Sequence, residues 1–188
     1  MKKVPIILFI CVLFISGCEV KKVEDIKDNE KFAKEFNITT DNNFKYVSYD
    51  KMMDILENKT GIIFFANGDC EWCLATAELL NASLDYKDVK DNIYYYNPKA
   101  IKDDSNEKYK KLLKVLNDYL AEDDKGNKEL LLPDIYFVRD GKIIGHNNDL
   151  ATIKTDPNEY LSNKRIKQIK ERFEDLISKY NVKECKTC

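Results

Sequence analysis

The apolar residues of this chain fall in short runs whose spacing alternates between that of a strand and that of a helix. Gly61-Ile62-Ile63-Phe64-Phe65-Ala66 is an unbroken apolar run between turn signals, which predicts a strand buried on both faces. Phe44–Ser48 and Ile93–Tyr96 read as further short strands, and Leu130–Val138 as another that Pro133 interrupts. Helical spacing takes over in between. Met52, Met53 and Leu56 mark one helix, Cys73, Ala77, Leu80 and Leu84 a second, and Tyr109, Leu112, Leu113, Leu116 and Leu120 a third. Arg139-Asp140-Gly141-Lys142 is an Asp-Gly hairpin turn that returns as Ile143-Ile144. Ile166, Ile169, Phe173, Leu176, Ile177 and Tyr180 make a closing amphipathic helix. Strands alternating with helices, then a hairpin and a helix, predict an α/β domain with a central mixed β-sheet flanked by helices.

The N-terminus follows another pattern. Lys2 and Lys3 precede a nearly continuous apolar stretch, Val4 to Ile15, that suits a secretory leader and is short for a membrane span. It ends in Ile15-Ser16-Gly17-Cys18, which resembles a bacterial lipobox. That resemblance implies that residues 1–18 form a lipoprotein signal ending at the lipidated Cys18, and it locates the protein on the extracytoplasmic face of the cell membrane. An uncleaved anchor and an ordinary signal peptide are the alternatives. Residues 19–43 are dense in Lys, Glu, Asp and Asn and read as a charged tether, with Phe32, Phe36 and Ile38 able to fold its later part onto the domain. The domain is assigned to residues 44–182 and a tail to residues 183–188.

Composition narrows the function. Hydrophobic residues are 44% and charged residues 34%, a globular mixture, and 33 acids against 31 bases leave no basic footprint for nucleic acid. The six cysteines carry more. Without Cys11 in the leader and the lipidated Cys18, two C-x-x-C pairs remain, Cys70 with Cys73 and Cys185 with Cys188, in a compartment where disulfides persist. The first pair stands where a buried strand hands over to a helix. A thiol at a helix N-terminus is favoured as thiolate by the unsatisfied N–H groups and the helix dipole, which makes Cys70 the nucleophile. Cys73, three residues on, faces the same side and can resolve a mixed disulfide. The competing readings are half of a zinc site and a purely structural disulfide. Zinc ribbons place their pairs roughly 15–20 residues apart, whereas these are separated by most of the domain. A four-residue loop restrains little of the unfolded chain. No metal or cofactor is assigned.

A buried strand, C-x-x-C opening a helix, a strand with proline near its start, an X-Gly hairpin and a closing helix together resemble the thioredoxin-like family over roughly Phe44 to Tyr180. Leu132-Pro133-Asp134-Ile135-Tyr136-Phe137-Val138-Arg139-Asp140-Gly141-Lys142 matches the family's cis-proline strand and hairpin in pattern. The chain is longer than a minimal thioredoxin between the two motifs, with the surplus from Pro98 to Lys128. The resemblance implies a thioredoxin-like fold and a thiol–disulfide oxidoreductase acting on protein thiols and disulfides through a mixed disulfide on Cys70, supplied with electrons by a further redox partner. It also implies that Leu132 and Pro133 lie against the disulfide and dock an extended substrate, with Trp72 as an apolar surface beside the sulfur.

This chain departs from the family in three places. Asp69-Cys70-Glu71-Trp72-Cys73 lacks the tryptophan before the first cysteine and the Gly-Pro between the two. Phe64 stands where many thioredoxins carry a buried aspartate, leaving Glu71 or water for proton transfer. No histidine lies between the cysteines, unlike the strongly oxidising relatives. Asp69 and Glu71 flank the nucleophile and disfavour its thiolate, which points to a reductase or isomerase. Cys185 and Cys188 are read either as a shuttle pair or as a surface disulfide, and His146, the single histidine, as solvent-exposed or structural. The rival function is a redox-independent accessory or binding lipoprotein, on resemblance to thioredoxin-like proteins found with exported peptides such as bacteriocins.

Overall fold

The structure is a computed structural model, and it describes residues 29–87, 89, 93–103, 107–122 and 126–181. In chain order the elements are α1 (Asn29–Phe36), β1 (Phe44–Tyr46), α2 (Tyr49–Asn58), β2 (Gly61–Phe65), α3 (Glu71–Tyr86) and β3 (Ile93–Tyr96). They continue with α4 (Lys99–Asp103), α5 (Glu107–Leu116), a 3-10 turn (Asn117–Tyr119), β4 (Ala121–Glu122), β5 (Lys128–Glu129), β6 (Asp134–Arg139), β7 (Lys142–Asn147), α6 (Pro157–Tyr160) and α7 (Asn163–Asn181).

The main sheet has five strands in the order β1-β3-β2-β6-β7. β1 and β2 both run parallel to β3, while β6 runs antiparallel to β2 and β7 to β6, so the sheet is mixed. β2 is central and buried along its whole length, as an apolar run without alternation requires. Its residues alternate between two cores. Ile62 and Phe64 join Ile135, Phe137 and residues of α1, α3 and α7 on one face, and Ile63 and Phe65 join Tyr136, Val138 and residues of α2 and α5 on the other. Helices therefore flank both faces.

The β6–β7 hairpin turns at Asp140 (φ 48°) and Gly141 (φ 71°), the positive-φ pair of a type I′ turn. Glycine is required at 141 on a second count, because a Cβ there would come within 2.2 Å of the Glu57 carbonyl oxygen. The surplus between the two motifs forms α4, α5 and a small β4–β5 ribbon.

One boundary moves. The domain takes in residues 29–43, which the charge pattern assigns to the tether, because α1 buries Phe32, Ala33 and Phe36. Phe32 stacks between Phe36 and Phe44 at centroid distances of 4.3 and 4.2 Å and meets Tyr95 edge-on. Each such ring contributes roughly 1.5–3 kcal/mol by burial. Phe32 and Phe36 are the residues the sequence marks as able to fold this segment onto the domain, and α1 is the helix that does so. Residues 19–28 and 183–188 lie outside the described residues. Among the described residues no helix is long and apolar enough to cross a membrane.

Candidate functional site

β2 delivers its chain to the site through a tight turn. The Asp69 N–H donates to Asn67 Oδ1 at 3.1 Å and the Cys70 N–H to the Asn67 carbonyl at 3.0 Å. Gly68 allows the close approach of α1, since a Cβ there would lie 2.7 Å from Glu35 Cγ. Glu35 in turn accepts from the Tyr46 and Tyr95 hydroxyls at 2.7 and 2.6 Å, which ties α1 to the sheet below the turn.

Cys70 is the N-cap of α3. Its extended backbone (φ −102°, ψ 114°) aims Sγ back at the first turn, where it accepts the Cys73 N–H at 3.1 Å. Oxygen side chains usually fill this position, and here sulfur satisfies one of the orphan N–H groups. Cys73 lies fully buried in the apolar cluster with Ala66 and Phe64, while Cys70 is half-buried at its edge. Both are free thiols. The two sulfurs titrate as a pair. The hydrogen bond from the Cys73 thiol, helped by the backbone N–H groups of Cys73 and Trp72, brings the Cys70 thiol down to about 7, against burial and the Glu71 charge. The same hydrogen bond, together with burial, pushes the Cys73 thiol far up. One proton stays on the inner sulfur and supports negative charge on the outer one.

The Trp72 ring is held by residues distant in the sequence. Its Nε1–H donates to the Thr155 carbonyl at 3.1 Å, and its indole meets Tyr160 edge-on at 5.4 Å. Asp69 is exposed and pairs loosely with Lys99 at 3.5 Å. Glu71 acts on Cys70 in the direction expected from its charge, but as the weakest of the influences, and the hydrogen bond from the Cys73 thiol prevails. Leu132 and Pro133 precede β6, joined by a cis peptide bond. Leu132 packs against the cluster that holds both cysteines. A groove of about 340 Å³ opens beside the first turns of α3, lined in part by Phe36, Glu71, Leu74, Pro157 and Leu161.

The sequence reading passed over one polar group. Asp134 is wholly buried, with Oδ1 2.7 Å from His146 Nε2 and Oδ2 accepting the Tyr136 hydroxyl at 3.0 Å. Burial raises the Asp134 carboxyl, and the bonds from His146 and Tyr136 oppose that rise. The available signal was an acid directly after Pro133 at the head of an apolar strand. Among the described residues no grouping of His, Cys, Asp and Glu could hold a metal ion. Cys18, Cys185 and Cys188 lie outside the described residues. No family model matches the sequence, and a search of the curated proteins finds no match to it.

Proposed function

We propose that this chain is a thioredoxin-like thiol–disulfide oxidoreductase, held at the extracytoplasmic face of the membrane by a lipid on Cys18. The observation that carries the reading is the asymmetry of the pair: a half-buried Cys70 sulfur capping α3 beside a fully buried Cys73 that keeps its proton. The Cys70 thiolate attacks one sulfur of a substrate disulfide, forming a Cys70–substrate bond and releasing the other sulfur as a thiolate that takes a proton from water. Cys73 then gives up its proton and attacks the Cys70 sulfur, displacing the second substrate thiolate. The substrate gains two electrons and the Cys70–Cys73 pair loses two, and the reverse sequence oxidises a dithiol. A membrane or extracellular redox partner resets the pair, and no cofactor takes part.

The Cys70 thiol is lowered to about 7, so its thiolate is favoured despite Glu71, and the flanking acids do not carry the direction. What supports a reductase or isomerase is how far this value stands above that of strong oxidants. Its thiolate is abundant and still strongly nucleophilic near neutral pH. Strong oxidants stabilise theirs much further, to about 3.5.

The test uses the full chain in detergent with Cys185 and Cys188 changed to serine, equilibrated against glutathione or dithiothreitol buffers. A reversible two-electron transition is expected, lost in Cys70→Ser. Cys73→Ser should accumulate mixed disulfides on Cys70. A pair with no transition, or thiols that release zinc, overturns the reading in favour of binding or metal chemistry. Separately, Cys18→Ser should shift the protein from the membrane fraction to the soluble one, and an unchanged distribution would remove the lipid anchor.

A further inference from the structure

We propose that Asp134, clamped by His146 and Tyr136, is a positioning residue that holds the Leu132–Pro133 segment in line for protein substrates at Cys70. The proposal rests on the oxidoreductase reading and adds a second group of side chains to it.

The ladder between β2 and β6 ends at the pair Phe65–Asp134. Leu132 and Pro133 lie beyond that last rung, at the end of β2 that leads into the turn carrying Cys70. The direction in which this segment leaves the sheet depends on how Asp134 is held. Both of its carboxylate oxygens are engaged, one by His146 from β7 and the other by Tyr136 from β6. His146 stands directly across from Tyr136 in the β6–β7 register. The unit is braced from outside, where the Tyr119 ring meets His146 at 5.5 Å and Tyr136 at 6.0 Å, both edge-on. Tyr119 belongs to the surplus segment between the two motifs, so that segment has a task at the site.

Stability alone does not explain this arrangement. Burying a carboxylate costs several kcal/mol that its partners at best repay, and well-packed apolar residues of similar volume commonly do as well or better. Asp134 alternates onto the same face as Tyr136 and Val138, which belong to the apolar core with α2 and α5. A buried polar group there fixes one geometry, as an apolar contact does less sharply.

The test measures reduction of insulin disulfides by the full chain in detergent, with dithiothreitol as the final reductant, alongside iodoacetamide alkylation of Cys70. Replacing the clamp with apolar side chains (Asp134→Val with Tyr136→Phe) should raise KM for insulin about 3- to 10-fold, the worth of one docking hydrogen bond. The alkylation rate of Cys70 should not fall. His146→Ala should raise KM in the same direction. His146→Gln, whose amide reaches Asp134, and Asp134→Asn should restore most of it. If the double variant does not fold, Tyr136→Phe alone, which removes one of the two bonds to Asp134 and leaves His146 in place, decides the matter by the same rise in KM. Cysteine-dependent turnover with unchanged KM in these variants overturns the positioning role alone. Alkylation that falls together with turnover also overturns it, because the effect would then lie on the thiol. Wild-type turnover no greater than that of Cys70→Ser/Cys73→Ser removes the oxidoreductase reading and this role with it.

Discussion

The two faces of the sheet bury their chemistry in opposite ways. On the face covered by α1, α3 and α7, the buried reactive atom is the Cys73 sulfur, surrounded by Phe64, Ala66 and other apolar side chains, with the Cys70 sulfur and the Asn67 backbone as its polar neighbours. On the face covered by α2 and α5, the buried group is the Asp134 carboxylate, with a side-chain partner on each oxygen. A neutral thiol is close to an apolar residue in its solvation and needs no dedicated partner. A carboxylate is not, and it survives burial only where donors are built for it. The thiol face can therefore consist of aromatic rings, whereas the carboxylate face needed a histidine and a tyrosine.

The sharpest way to break this comparison is to put a carboxylate on the thiol face. Phe64 packs against Phe36, Phe44 and Tyr95 with no donor provided for it. Phe64→Asp should cost at least about 4 kcal/mol in unfolding free energy, from lost packing and an unpartnered acid, and Phe64→Leu only about 1 kcal/mol. Chemical denaturation reads both. Equal losses would mean that this face tolerates charge and that the contrast between the faces is false.

A smaller effect sharpens the thiol side. Because the Cys70 thiol is lowered to about 7, its alkylation rate should fall as pH drops through that value and level off above it. Glu71 raises the Cys70 thiol, so Glu71→Gln should move the midpoint down, by roughly 0.3 of a pH unit for an exposed charge. A midpoint near that of an ordinary thiol would show that the hydrogen bonds from the Cys73 thiol and the helix end do not govern Cys70. A midpoint moving up in Glu71→Gln would reverse the sign given to its charge.

Sequence pattern reached far along this chain. The run from Gly61 to Ala66, the helix marked by Ala77, Leu80 and Leu84, and the Asp140–Gly141 turn are each local signals, set by period or by backbone preference. They predicted β2, α3 and the hairpin, and with them the position of Cys70 at a helix start. That Phe32 and Phe36 can fold onto the domain was legible, but their helix was not, because they stand among charges, and only the aromatic wall of Phe44, Phe64 and Tyr95 shows what they pack against. The effect of Asp69 and Glu71 was read from charge alone. That of Glu71 was outweighed by hydrogen bonds, first of all from the Cys73 thiol, whose geometry depends on how the turn and the start of α3 set the two cysteines.

By itself, then, the sequence determined the main strands and helices from β1 to α7 and the C-x-x-C at a strand-to-helix junction, because each depends on residues near one another in the chain. The burial of Cys73 beneath a half-exposed Cys70 was decided by tertiary structure, as was the meeting of Asp134 with His146. Those relations join strands and helices that come together only when the sheet closes and water is excluded from between them.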